Sequence, residues 1–278
     1  TVLPTNRRTN STKDSTSLTC NTTSRRTNGP GRPCGNFSSA SLIKPVIKAL
    51  QILIDQQSFT PNRIFCIGKN YGEHVKELGG KTPEEPVVFM KPVSSIVAPG
   101  ESLFMPRHGN LLHHEVEVVL LIGREGRDIP QTNALSFIAG VSLGLDLTLR
   151  DVQVRLKKAG LPWELSKSFE QSAPLGLFKA YNPDSIDLEN LSFTCSVNGK
   201  LRQQGKTRDM IFPIKNLIHT LSGWWTLRPG DIIFTGTPAG VGPLKAGDRV
   251  DIESPDIGLF SWTLFTFGEI GYFYRRVF

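Results

Sequence analysis

Paired cysteines are missing from this chain. Of its four, Cys20 and Cys34 fall near the start and Cys66 and Cys195 in the body, and no two form a C-x-x-C pair. That argues against a disulfide scaffold or a zinc knuckle and makes a reducing compartment the expectation. Apolar runs approaching the roughly 20 residues of a bilayer helix are also missing. The longest, such as "VVLLIG", are far shorter, so no membrane partner is expected. Neither G-x-x-x-x-G-K-[ST] nor G-x-G-x-x-G occurs, which leaves nucleotide binding without support.

Acidic residues are scarce in one region. Residues 1–40 carry Arg7, Arg8, Lys13, Arg25, Arg26 and Arg32 against Asp14 alone, which is +5 of the chain's net +7. The excess basicity therefore belongs to the tail. A nucleic-acid surface needs a basic face interleaved with aromatics on a folded module, and the body has no such run. The same 40 residues hold 15 Ser or Thr and only Val2, Leu3 and Leu18 as branched aliphatics. They cannot bury enough apolar surface to offset the entropy of ordering, so a disordered or poorly defined tail is expected over 1–60. Arg-rich, Ser-rich, acid-poor composition matches a mitochondrial transit peptide, while Pro4 and the few leucines make a poor amphipathic helix. A transit peptide and a spurious extension both stay open.

The body has the apolar content for a sizeable core, at 38% hydrophobic residues over the chain. "SLIKPVIKALQILIDQQ" (41–57) has the spacing of a short linker helix around Pro45. From Arg63 on, "RIFCIG" and "PVVFMKP" read as strands and "NYGEHVKELGG" as a short helix closed by Gly79 and Gly80. "LRDVQVRLKKAG" and "DMIFPIKNLIHTLSGW" read as helices, and Asn198-Gly199 marks a hairpin turn. Many short strands and few helices, without β-α alternation, predict an α+β domain of mixed β-roll type over 61–265 rather than a doubly wound sheet.

Within the apolar stretch "LLHHEVEVVLLIG" stand Glu115 and Glu117, on one face of a strand whose other face carries Val116, Val118 and Leu120. Two neighbouring carboxylates on a half-buried face repel and lose hydration. They must share a proton, hold a cation, or lie in solvent on an edge strand. A third acid in an apolar setting, Asp146, favours a hard cation such as Mg²⁺ or Mn²⁺, but spacing alone leaves the edge strand open. His113 and His114 are read as surface or supporting groups, because a hard-cation site prefers oxygen. His74 and Glu77 stand at i and i+3 of a helix, where the carboxylate can orient the imidazole; a solvated helical pair explains the spacing equally well. Lys167 lies in a polar patch. "FTGTPAGVG" offers Thr235, Thr237 and glycine amides suited to a carboxylate, or simply a tight turn.

Taken in order, "CIGKNYGEHVKEL", "FMKP", "LHHEVEVVLLIG", "GLDLTLRDVQ", "GLPWELSKSF", "VNGKLRQQG" and "GDIIFTGTPAGVGPL" resemble the motifs of the fumarylacetoacetate hydrolase family, over residues 63 to 264. The likeness is greatest to its small members, acylpyruvases that also decarboxylate oxaloacetate and are mitochondrial in animals. The resemblance implies a mixed β-roll and a homodimer, either mitochondrial or cytoplasmic. It matches Glu115, Glu117 and Asp146 to three Mg²⁺-binding carboxylates, with Mn²⁺ an alternative. Lys167 matches a lysine beside the substrate's oxygens, Arg150 and Gln153 match polar site residues, Thr237 a substrate-carboxylate ligand, and His74 with Glu77 a water-activating lid dyad.

The activity implied by the resemblance is cleavage of 3-acylpyruvates to pyruvate and a carboxylic acid, with decarboxylation of the small 2-oxo acid oxaloacetate at the same site. Isomerases and decarboxylases of aromatic-degradation intermediates share the metal triad and are the alternative. A binding protein on the same fold is the non-catalytic one, and it predicts loss of a triad carboxylate or of Lys167. Residues 266–278, with "GYFYRRVF", do not match the family's closing strand and are expected to form an atypical extension.

Overall fold

A computed structural model describes residues 50–77 and 79–266. The expected disorder of the tail to residue 49 and the extension beyond 266 lie outside the described residues. Within them, the helix expected to run to residue 57 is replaced by a β-hairpin, Ile52–Ile54 paired with Gln57–Phe59. The turn carries Asp55 at a φ of 51°, and Ile54 and Phe59 face inward as two buried residues. A period-two apolar pattern closed by an aspartate outweighs helical spacing here. Ordered structure thus starts before the expected boundary at 61.

Two sheets dominate. The six-stranded one runs Lys179–Ala180, Ile138–Leu145, Val116–Ile122, Ile232–Phe234, Ile64–Gly68 and Val87–Lys91, antiparallel except for the pairing of Ile232–Phe234 with Ile64–Gly68. The five-stranded sheet runs Lys200–Lys206, Ser192–Val197, Arg249–Ser254, Gly258–Phe265 and Leu103–Phe104. Its hairpin turns at Asn198 and Gly199, with φ of 52° and 72°, as Asn-Gly favours in a tight hairpin. Short helices at Gly72–Glu77, Arg150–Lys158, Glu164–Lys167 and Ile214–Trp224 complete the α+β architecture.

The strand Val116–Ile122 is central, with every residue buried. Val116, Val118, Leu120 and Ile122 enter the large core that also takes Phe193, Ile252 and Trp262 of the other sheet. Val119 and Leu121 enter a second core with Cys66, Phe234, Ile54 and Phe59. A β-branched, nearly unbroken apolar run is what a strand covered on both faces requires. The edge-strand reading of the two glutamates is therefore excluded, and both lie in the interior.

Candidate active site

Glu115 sits in the break between the strands Leu112–His114 and Val116–Ile122, and Glu117 is the second residue of the latter. Asp146 follows the neighbouring strand Ile138–Leu145, and its N–H donates to the carbonyl of Glu115 at 2.9 Å. One oxygen from each of these three buried carboxylates lies within 4.8 Å of the others.

Three buried cations face them. Lys167 Nζ donates to Glu115 Oε2 at 2.7 Å and to Asp146 Oδ2 at 2.5 Å. Arg150 Nη2 donates to the other oxygen of Glu115, and Arg150 Nη1 to Gln153 Oε1 at 2.6 Å. Lys91 Nζ stands 2.9 Å from Asp146 Oδ1, although that oxygen is not aligned to accept a hydrogen bond from it. Lys91 Nζ also donates to the carbonyls of Leu147 and Lys167.

The three acids are not equivalent. Burial alone would raise the pKa of Glu115, but Lys167 and Arg150 hold it well below the usual carboxylate range. For Glu117 burial and then the charge of Asp146 push the pKa well up, against a 2.7 Å hydrogen bond from the Gly236 N–H. Lys167 loses hydration in the interior, yet Asp146 and Glu115 keep its pKa above the ordinary value. The cluster is thus short of positive charge at Glu117. Oxygen donors alone, an Asp146 oxygen without a hydrogen bond and a carboxyl driven to retain its proton suit a hard divalent cation. Such an ion would be held by Glu115, Glu117 and Asp146.

His74 and Glu77 lie on the helix Gly72–Glu77, with His74 Nδ1 3.0 Å from Glu77 Oε2. The Gly240 N–H donates to both Glu77 oxygens, at 3.1 and 3.3 Å. Gly240 has a φ of 96° and lies so close to the Arg202 carbonyl that a Cβ would fall 2.2 Å from its oxygen, so only glycine can present this N–H. With Glu77 as the acceptor, Nδ1 carries the hydrogen of that bond, and in the neutral imidazole Nε2 is then the proton acceptor.

His74, Glu115, Arg150, Gln153 and Lys167 line one narrow cleft with Lys69, Phe89, Lys157 and Trp163. Its interior space is about 30 Å³, that of roughly one water, so any larger ligand must part its walls. A larger surface cavity, between Phe104, His108, Leu165 and Phe169, holds none of the buried charged groups.

Thr237 is tied into the protein itself. Its hydroxyl donates to the Val116 carbonyl at 2.9 Å and accepts from Gln203 Nε2 at 2.8 Å, while Thr235 donates to the Val118 carbonyl at 2.8 Å. The "TGTP" loop is thus pinned to the central strand, and its Gly236 and Gly240 amides serve Glu117 and Glu77.

Sequence reasoning missed Lys91 and Gln203. Lys91 ends an apolar strand before Pro92, and a lysine closing such a strand was the available signal. Gln203 Oε1 accepts from His114 Nδ1 at 2.8 Å and from the Val116 N–H at 3.1 Å, which fixes the strand beside Glu115. Only strand alternation beyond the Asn198-Gly199 turn could have placed it inward. His113 and His114 support the site without belonging to the acid cluster. His113 Nδ1 accepts from Arg150 Nε at 3.5 Å, and burial followed by the Arg150 charge lowers its pKa to about 4, so it stays a neutral acceptor.

Known proteins show the same architecture. The family model described as fumarylacetoacetate hydrolase C-terminal matches residues 63–264. The mitochondrial oxaloacetate tautomerase of Mus musculus is 46% identical over 190 residues, 68% of this chain and 85% of that protein. The oxaloacetate tautomerase of Escherichia coli (strain K12) is 44% identical over 191 residues, 69% of this chain and 87% of its own. Among solved structures, fumarylpyruvate hydrolase from Pseudomonas aeruginosa, in complex with Mn²⁺ and pyruvate, superposes with a TM-score of 0.74 at 33% identity, covering 78% of this chain and 96% of that one. With the acid cluster, the two sheets and the ordered motifs on one domain, the chain belongs to the fumarylacetoacetate hydrolase family.

Proposed function

We propose that the protein cleaves 3-acylpyruvates to pyruvate and a carboxylic acid, with oxaloacetate as a second substrate, using Mg²⁺ or Mn²⁺. The observation that carries this reading is the charge balance of the buried cluster that reaches the cleft through Glu115, Arg150 and Lys167, where Glu115, Glu117 and Asp146 face Lys91, Arg150 and Lys167. With a divalent ion in place of the Glu117 proton, three carboxylates offset three basic side chains and the ion adds an excess of two positive charges, the complement of a pyruvate enolate with its carboxylate. When bound, such an ion supplies Lewis-acid charge beside the 1-carboxylate and 2-oxo oxygens. Lys167 and Arg150 add fixed positive charge where negative charge develops, and their partners hold them ready before the reaction.

His74 Nε2 takes the proton of a water that attacks the distal carbonyl, and Glu77 stabilises the imidazolium through Nδ1. The carbon–carbon bond then breaks with its electron pair passing to the 2-oxo acid half as an enolate, whose C3 takes back the proton held by His74 to give pyruvate. Gln153 keeps Arg150 oriented. Thr237 fixes the loop, and for it to hold a substrate carboxylate its hydroxyl must exchange one of its present partners. Loss of CO₂ from oxaloacetate gives the same enolate without water, so that reaction does not require the dyad.

The names of the Mus musculus and Escherichia coli relatives favour a second reading, keto–enol interconversion of oxaloacetate. It breaks no carbon–carbon bond and needs only that a proton leave C3 and one arrive at the 2-oxo oxygen, through an enolate of oxaloacetate itself stabilised by the same charges. Assay of acetylpyruvate and oxaloacetate with His74→Ala separates the readings. Hydrolysis that disappears while oxaloacetate decarboxylation persists supports the first; wild-type protein that interconverts oxaloacetate tautomers and never releases pyruvate from acetylpyruvate supports the second.

A further inference from the structure

The buried bases of the site pair with its acids, but two lysines that line the cleft do not. Lys69 and Lys157 line the same cleft as His74 and Lys167. Lys69 follows the strand Ile64–Gly68 and has a φ of 59°. Lys157 lies four residues after Gln153 on the helix Arg150–Lys158, hence on the same helical face. Among the described residues neither ammonium has a carboxylate or hydrogen-bond partner. The one contact is Lys157 Nζ over the Trp163 ring, 4.9 Å from its centroid.

Burial and then the charges of Arg150, Lys167 and Lys69 lower the Lys157 pKa to about 8. It is still largely protonated at neutral pH, in surroundings crowded with cations, and an anion there relieves the crowding. A 2-oxo acid held at the floor by its 1-carboxylate and 2-oxo oxygens directs its far end toward the rim.

We propose that Lys69 and Lys157 form a second anion-binding subsite at the mouth of the cleft, which selects 2-oxo acids bearing a further carboxylate at the end remote from the 2-oxo group. The subsite rests on the 2-oxo acid reading above and assigns the residues that would favour substrates with a remote carboxylate, such as oxaloacetate, over acylpyruvates without one. Trp163 shields the ammonium of Lys157 from water on one side and so strengthens its pairing with a ligand.

The test compares two ligands of equal chain length, 2-oxoglutarate and 2-oxopentanoate, which differ only in a terminal carboxylate against a methyl group. Their binding to the full Mg²⁺-loaded chain is measured by calorimetry for wild type, Lys69→Met, Lys157→Met and Lys157→Arg. Wild type should prefer 2-oxoglutarate. Each methionine variant should weaken 2-oxoglutarate about tenfold, as for loss of a partly shielded ion pair. Binding of 2-oxopentanoate should stay within about twofold of wild type and so report an intact cleft. Lys157→Arg should keep most of the preference. Equal wild-type affinities, or equal losses for both ligands in the methionine variants, would overturn the subsite while leaving the 2-oxo acid reading in place. A wild-type protein that binds neither ligand removes that reading and the subsite with it.

Discussion

Lys91 ties three segments together, because its ammonium reaches Asp146 and the carbonyls of Leu147 and Lys167 from the end of the strand Val87–Lys91. Lys91→Met removes one cation from a buried network and should cost about 3 kcal/mol of stability in metal-free protein. Denaturant titration checks this, and saturating Mg²⁺ should recover part of the loss by restoring charge near Asp146. Gly236→Ala acts through the backbone. A Cβ at that φ of 104° would lie 2.6 Å from the Asn70 Cβ, and the displaced N–H would release Glu117. We expect a loss of at least about 2 kcal/mol together with weaker metal binding, read by calorimetry. At this scale the sequence was informative where charge stood against its surroundings, as at Glu115, Glu117 and Asp146 within apolar runs. It was uninformative for Gln203 and Lys91, whose importance comes from partners distant in the chain.

Among the elements, the hairpin Ile52–Phe59 covers the second core, with Ile54 packed over Gly140. Buried Ile54 and Phe59 together contribute roughly 3 kcal/mol or more. A chain starting at residue 61 should therefore unfold at lower denaturant than one starting at residue 50, by about that amount. On the far sheet, burial raises the Cys195 pKa to about 12 from an ordinary value of 9.0. Below pH 9 the thiol is protonated in both folded and unfolded chains. Between about pH 9 and 12 only the unfolded chain gives up the proton, so stability falls as pH rises, by ~1.4 kcal/mol per unit. Cys195→Ala should flatten the measured slope by that amount; an unchanged slope would show that the thiol does not contribute. The strands at the site were legible because apolar runs and Asn-Gly turns are local signals. The hairpin was not, because Pro45 and the helical spacing around it compete with a period-two pattern only a few residues long.

For the whole molecule, the family and its β-roll were legible from seven ordered motifs, since motif order reflects the whole chain rather than one segment. The pinning of the "TGTP" loop was not, because Thr237 finds Val116 and Gln203 only after the sheets assemble. Resemblance to the small family members also leads us to propose a homodimer, so sedimentation equilibrium should return twice the chain mass of 30.7 kDa. The central claim is that the three buried carboxylates hold a divalent cation on which cleavage of a 2-oxo acid depends. It is tested most directly by pyruvate release from acetylpyruvate after exhaustive chelation and again after Mn²⁺ is restored. We predict no release from chelated protein, recovery with Mn²⁺, and no recovery in Glu115→Ala. Release that is indifferent to chelation, or equal in Glu115→Ala and wild type, would contradict the claim.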